Sequence, residues 1–481
     1  MALENRSWIS RVAEETGFAA ISGSCRDVKL LCLQRLIRLF AYGVSFLILV
    51  QFLSGLGISD GRIGLFMTLT LLGDMVISFV LTTITDAVGR RRVLAVGALL
   101  IVLSGLGFFL AENYWILVVA SVFGVISPSG NEIGPFRAIE ESILAQLTDK
   151  EHRSDIFAWY TLFGTAGAAI GTLTCGWAVQ GLRRIEGWSD TAAYRTVFLL
   201  YAVLGAIKLG FVLLLSPAVE AERQTRIQEA GTESEGLLSA QRSGNGEETE
   251  GQQPAVSTTT PPVNKPIPRK GVSSLIPHIS PASRSILWRL LLLFCLDSFA
   301  SGMASPSWLT YFFTTVHSLQ PSSLGTLFLV SNLLATASNL AALPLARRIG
   351  PLKTMVFTHL PSAIFLAAIS LPPASPSGTW MSMAFLALRA CTQSMDQAPR
   401  QAFLAAVVLP AERTAVLGVV NIVKTFSQAG GIGVAGPLVN ASLWTVLLGG
   451  AGAMKAMYDL IMLLSFWRLK DRENPVLPTV S

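Results

Sequence analysis

Charge is scarce in this sequence of 481 residues: Asp, Glu, Lys and Arg make up 14% of it, where soluble domains carry about 25%. A set of soluble domains is excluded, because surfaces in water need more charge than this. Cysteine and histidine are also few, at five and four. Cys25, Cys32, Cys175, Cys295 and Cys391 are widely spaced, form no CxxC and fall mostly in apolar segments, so neither a disulfide framework nor a zinc site is expected. His317 and His359 form no metal constellation, and the site is expected to hold no metal. There is no Walker loop, no Ser/His/Asp set and no HExxH, so the chain is read as a non-enzyme without a cofactor. The first 28 residues hold Glu4, Glu14, Glu15 and Asp27 and no long apolar run, unlike a secretory leader.

What the sequence does have is apolar length. Hydrophobic residues reach 51% and mean hydropathy is +0.55. Stretches such as Val93 to Leu110 and Tyr201 to Leu215 stay almost uncharged over the distance that a hydrocarbon core of ~30 Å requires. An all-α polytopic membrane protein follows. The net charge of +6 sits at the ends of apolar stretches and not on one basic face, which points to membrane topology and away from nucleic acid.

Twelve apolar windows lie near residues 33–56, 62–84, 92–111, 114–141, 155–180, 194–215, 286–314, 322–346, 352–371, 379–408, 414–439 and 442–468. Between the sixth and seventh, a segment rich in Pro, Ser, Thr, Gln and Glu reads as a disordered linker. The resulting division is an N-terminal segment 1–32, a six-helix bundle 33–215, a linker 216–285, a second bundle 286–468 and a tail 469–481. Lys and Arg concentrate on one side: Arg90 to Arg92, Lys150, Arg153, Arg347, Arg348, Lys353, Arg413, Arg468, Lys470 and Arg472. Arg62, Arg183, Arg184 and Arg195 are left on the other. Both termini and the linker are therefore expected in the cytosol.

The two halves repeat at an offset of about 260 positions. Gly43 lies over Gly302, Gly64-Leu-Phe over Gly325-Thr-Leu-Phe, Arg153 over Arg413 and Gly171 over Gly431. Two six-helix units in one orientation, related by an axis along the membrane normal, are a transporter arrangement.

Between spans two and three the chain reads Thr82-Thr-Ile-Thr-Asp86-Ala-Val-Gly89-Arg90-Arg91-Arg92-Val-Leu94. It resembles the GxxxDrxGrrxxl loop of the major facilitator superfamily, matching at Asp86, Gly89, Arg90 and Arg91 and departing at Thr82 and Ala87. Gly89 permits a tight turn, while the carboxylate and arginines suit bridging or capping helix ends, a conformational gating role. Arg347-Arg348-Ile-Gly350-Pro-Leu-Lys353 is a degenerate second copy without the aspartate. Arg389-Ala-Cys-Thr-Gln393 resembles the family's RxxxQ pattern, and Gly164, Gly167 and Gly171 its glycine-rich fifth helix. The resemblance implies two bundles around a central cavity lined by spans one, four, seven and ten.

Ionisable groups inside spans are costly, at ~2.5 to 3.5 kcal/mol each, and so mark function. They concentrate in those four spans: Arg35 and Arg38; Glu132, Arg137, Glu140 and Glu141; Asp297; Arg389, Asp396 and Arg400. Arg389, Gln393, Asp396 and Arg400 are spaced as one helical stripe. Arg38 and Asp297 correspond in the repeat and are expected to bring opposite charges to one site. Arg38, Glu132, Asp297, Arg389, Gln393 and Asp396 are the cavity or coupling candidates. Arg35, Arg137, Glu140, Glu141 and Arg400 read instead as helix-end groups, and Lys455 with Asp459 as a self-neutralising i,i+4 pair.

The sequence thus describes a multi-pass secondary transporter of a small solute, in the plasma or an organelle membrane, with the lipid bilayer and protons as partners and a monomeric state. Buried carboxylates make proton coupling the expected energy source. A transporter-like receptor or scaffold signalling through the linker, and an uncoupled uniporter, are the alternatives.

Overall fold

The computed structural model describes residues 18–124, 126, 135–149, 151–220, 281–397, 399–400, 403–404 and 413–467, and its regular elements are helices. A short helix α1 (Phe18–Gly23) precedes the spans. The first half contains α2 (Arg26–Gly55), α3 (Asp60–Val88), α4 (Arg90–Leu110), the pair α5 (Tyr114–Phe123) and α6 (Pro135–Leu147), α7 (Arg153–Arg183) and α8 (Asp190–Leu213). A 3-10 turn follows at Pro217–Val219. The second half contains the pair α9 (Pro281–Met303) and α10 (Pro306–Thr315), then α11 (Pro321–Ile349), α12 (Pro351–Ala368), α13 (Pro376–Ser394), α14 (Arg413–Asn440) and α15 (Trp444–Phe466). Eight of these spans are long and apolar enough to cross a membrane by length and composition alone. With the fourth, ninth, tenth and eleventh they make a twelve-helix, two-bundle architecture.

Local chemistry sets the breaks. Span seven was expected to be continuous over 286–314, but it divides where Ser305 turns to extended backbone and caps the Trp308 N–H, with Pro306 opening the next helix. The tenth span was expected to run to 408. Its helix α13 instead ends at Ser394, and Met395 and Asp396 form a turn. The ring of Pro399 cannot sit against the residue 395 carbonyl and offers no N–H, so a regular helix is interrupted there. Proline also opens α11, α12 and α13, where its missing donor costs nothing.

Glycine fixes the closest helix contacts within each bundle. A methyl group at Gly43 in α2 would lie 2.3 Å from the Ala168 carbonyl oxygen of α7, and one at Gly171 would lie 2.2 Å from that of Phe40. The second bundle repeats this: a methyl group at Gly302 in α9 would lie 2.1 Å from the Gln428 oxygen of α14, and one at Gly431 would lie 2.0 Å from that of Phe299. Such approach lets helices associate by close van der Waals packing where lipid supplies no hydrophobic drive. Large apolar side chains such as Phe79, Leu103, Trp288 and Leu464 lie exposed around the outside, a surface suited to hydrocarbon and not to water.

Candidate functional site

Each bundle holds one buried carboxylate between an arginine and a lysine. In the first, Arg38 of α2 bonds to Glu140 of α6 at 2.5 Å, with both side chains fully buried. Lys208 of α8 stands 3.7 Å from the same carboxylate, and the Tyr160 hydroxyl of α7 donates to its other oxygen at 2.6 Å. Phe136 lies under the Lys208 ammonium at 4.1 Å, and Arg35 stacks on Tyr160 at 4.0 Å. In the second bundle, Asp297 of α9 takes Lys455 of α15 at 2.6 Å and Arg400 at 3.1 Å. Arg400 also bonds Asp396, and Lys455 donates to Ser301 at 2.7 Å. His359 of α12 bonds Asp459 at 2.9 Å through Nδ1, with Nε2 3.9 Å from Asp297.

These positions revise several expectations. Arg38 and Asp297 do not share a site; each is bonded within its own bundle. Glu140 and Arg400 are not snorkelling helix-end groups: Glu140 is wholly buried and Arg400 bridges two aspartates. Lys455 and Asp459 do not neutralise one another, because their helix face meets Asp297 on one side and His359 on the other. Asp396 and Arg400 lie beyond the end of α13, so the four-residue stripe with Arg389 and Gln393 is not one regular helix. The side chains of Arg389 and Gln393 are half-buried and make no ion pair or hydrogen bond among the described residues. Glu132 lies outside the described residues. No group of three or more His, Cys, Asp or Glu side chains among the described residues is placed to hold a metal ion.

Asp74 lies in the middle of α3, an ionisable group inside a span to which the sequence assigns no role. It is 5% exposed, and its one hydrogen bond among the described residues comes from Ser78 at 3.5 Å.

The Gly89 loop is a turn followed by a cap. Gly89 has φ +104°, the region that side chains disfavour, and α4 starts immediately after it. The Glu220 carboxylate accepts from the Arg90 and Arg91 backbone N–H groups at 2.7 and 3.2 Å, meeting the positive end of α4. Arg90 donates to Gln146 at 2.6 Å, Gln146 donates to the Ala218 and Glu220 carbonyls, and Arg91 donates to the Leu213 carbonyl. The loop is thereby tied to the ends of spans four and six. Asp86 belongs to α3, and its side chain lies outside the described set. Gly350, with φ +85°, repeats the turn in the second half.

At the opposite, arginine-poor end the two bundles grip one another. A methyl group at Gly64 of α3 would lie 2.9 Å from the Gly436 Cα of α14, and one at Gly176 of α7 would lie 3.1 Å from the Gly325 Cα of α11. Gly64 and Gly325 are repeat mates, as are Gly176 and Gly436, so the two crossings are one contact used twice. Around them Gln51 bonds Thr314, Ser54 bonds Tyr311, and Gln180 bonds Gln320 and the Ser322 N–H. Among the described residues no hydrogen bond or ion pair joins the bundles at the arginine-rich end.

The family model for the Major Facilitator Superfamily matches residues 31–296 and again residues 290–480. The chain is 35% identical over 451 residues to the uncharacterized membrane protein YJR124C of Saccharomyces cerevisiae, covering 93% of this chain and 96% of that one. The fold is also that of the D-xylose-proton symporter, with TM-score 0.64 and 14% identity over 90% of this chain and 96% of the other. It is similar to the nucleoside transporter NupG, with TM-score 0.62 and 13% identity over 92% and 99%.

Proposed function

This chain belongs to the major facilitator superfamily, and from that membership we propose that it is a proton-coupled secondary transporter that moves a small polar solute by alternating access. The one-sided clasp carries the reading: the bundles touch through repeat-related glycines at one end and share no described bond at the other. With the arginine-rich end in the cytosol, as the distribution of basic residues favours, this is an inward-facing state. Rocking about the buried midplane would exchange the closed and open ends.

Coupling rests on carboxylates that change protonation as access changes. Asp74 is the first candidate, because it is buried and forms no ion pair among the described residues. Asp297 and Asp396 are bonded to cations, Lys455 and Arg400, and are the next candidates. Glu132 remains a candidate from its place in span four. The loop from Asp86 to Arg91, fastened by Glu220, biases the conformational equilibrium and does not touch the solute.

Purified protein in proteoliposomes tests this. Asp74→Asn is expected to abolish accumulation driven by a pH gradient while exchange at equal pH survives. Glu132→Gln, Asp297→Asn and Asp396→Asn form the comparison set. Wild-type uptake indifferent to a proton gradient would overturn the coupling and leave a uniporter. Binding without counterflow would favour a receptor.

A further inference from the structure

The second bundle holds more positive than negative charge at its centre. Lys455 and Arg400 both bond Asp297, and Arg400 also takes Asp396. Asp459 is occupied by His359. Two further cations point at the same centre. Lys424 of α14 lies over the Phe294 ring at 5.5 Å, the ring that Arg400 also covers at 5.8 Å. Arg389 of α13 lies within electrostatic reach of Asp297. Neither Arg389 nor Lys424 makes an ion pair with any described residue, and both are partly exposed. Four cations therefore face two available carboxylates, Asp297 and Asp396.

Snorkelling does not account for this excess. Lys424 is eleven residues into α14, ~16 Å from its start at 1.5 Å per residue, and its ammonium is turned inward onto span seven. A cation at that depth with no bonded carboxylate is costly, and here the bundles differ: Arg38 and Lys208 stand 2.5 and 3.7 Å from Glu140, whereas Lys424 and Arg389 pair with no described carboxylate. A membrane protein keeps such a pair where a ligand completes it.

Resting on the transporter reading above, we propose that the transported solute is a small organic anion, whose carboxylate, phosphate or sulfonate group is taken by Arg389 and Lys424. Gln393, one turn from Arg389 on the same helix, supplies an uncharged donor and acceptor beside them. The guanidinium offers the fork that oxyanions match, and the ammonium a point charge. Carrying a proton with such an anion would reduce the net charge moved per cycle.

Thermal unfolding of the purified full chain tests the assignment, with sodium phosphate, succinate and benzoate as probes. Succinamide and benzamide are the neutral counterparts, at ionic strength matched with sodium chloride. An anion is expected to raise the melting temperature where its neutral counterpart does not, by preferential binding to the folded state. Arg389→Gln and Lys424→Gln should each weaken that stabilisation by more than about tenfold in apparent affinity, and Arg389→Lys should retain part of it. Without any probe, both glutamine variants should melt at or above the wild type, since removing either cation orphans no carboxylate. A wild type indifferent to every anion, or a glutamine variant melting several degrees lower without ligand, overturns the proposal. So do proteoliposomes that exchange a neutral solute and reject anions, an outcome that leaves the transporter reading intact. Anion-specific stabilisation lost in both variants, with no solute exchanged, would support the binding site and overturn transport instead.

Discussion

Arg38 and Asp297 occupy corresponding positions in the two repeats, carry opposite charges, and each belongs to a cluster in which one carboxylate meets an arginine and a lysine, the second cluster adding Asp396. In the first bundle the carboxylate comes from span four and the arginine from span one; in the second, Asp297 supplies the carboxylate from span seven and Arg400 the arginine beyond α13. The lysine comes from the last span of each half, Lys208 and Lys455. The repeat has conserved one carboxylate between two cations while exchanging which helix carries which sign.

Removing one member of such a cluster leaves a buried charge uncompensated. Glu140→Gln is expected to destabilise the protein by about 3–5 kcal/mol, as breaking a buried ion pair does. Adding Arg38→Met to it should recover part of that loss. Thermal unfolding of both variants checks this, and a double variant as unstable as the sum of its singles would contradict it.

The glycine crossings should be intolerant of size. Gly325→Leu places a side chain where the Thr172 carbonyl oxygen lies 2.5 Å from the first carbon, so the arginine-poor end cannot close. Reaction of a membrane-impermeant maleimide with an introduced Thr314→Cys is expected to rise severalfold in that background, and transport to fall. Unchanged labelling would show that the crossing is not a gate.

Glu220 is expected to act with the Gly89 loop. Glu220→Ala removes the cap of α4, at about 1 kcal/mol for such a loss, and frees the tie between the Gly89 loop and the segment after span six. Transport should drop while substrate affinity stays within about twofold, as for Asp86→Asn and Arg90→Ala. A large loss of affinity with unaltered conformational exchange would refute the gating role.

His317, in the turn after α10, packs edgewise on Phe312 and shares a hydrogen bond with Thr379 at 3.0 Å. Burial holds its imidazole below the ordinary value of 6.5. A base whose folded value is depressed is stabilising while neutral, so its contribution is present above 6.5 and fades as pH falls through the window below. Melting temperature should decline on acidification from pH 7 to 5, and His317→Gln should flatten that decline. An identical slope in the variant would remove His317 as the cause.

Apolar length made the spans legible, because a helix in hydrocarbon must satisfy its own backbone and so announces itself in composition. The breaks at Ser305 and Met395 were hidden, since Pro306 and Pro399 lie inside otherwise apolar windows and a window average passes over them. The common offset exposed the halves, yet not that Gly64 meets Gly436 and Gly176 meets Gly325, which depends on how the bundles lean. Charge content located the important helices and misjudged the pairings: spacing along one helix offered Lys455 to Asp459, whereas the partners lie on other helices. His359 and Glu220 carried no motif at all, and only their neighbours reveal them.

The arginine-poor clasp is built mostly from uncharged groups: glycine backbones, three glutamines, hydroxyls and a tyrosine, with the Asp60 carboxylate beside Tyr311. Its opening breaks mainly dispersion contacts and uncharged hydrogen bonds, which respond little to salt. The rate at which this face opens should therefore vary little with ionic strength. A dependence of turnover on ionic strength then reports the charged interior or the arginine-rich loops, which makes salt a way to time the halves of the cycle separately.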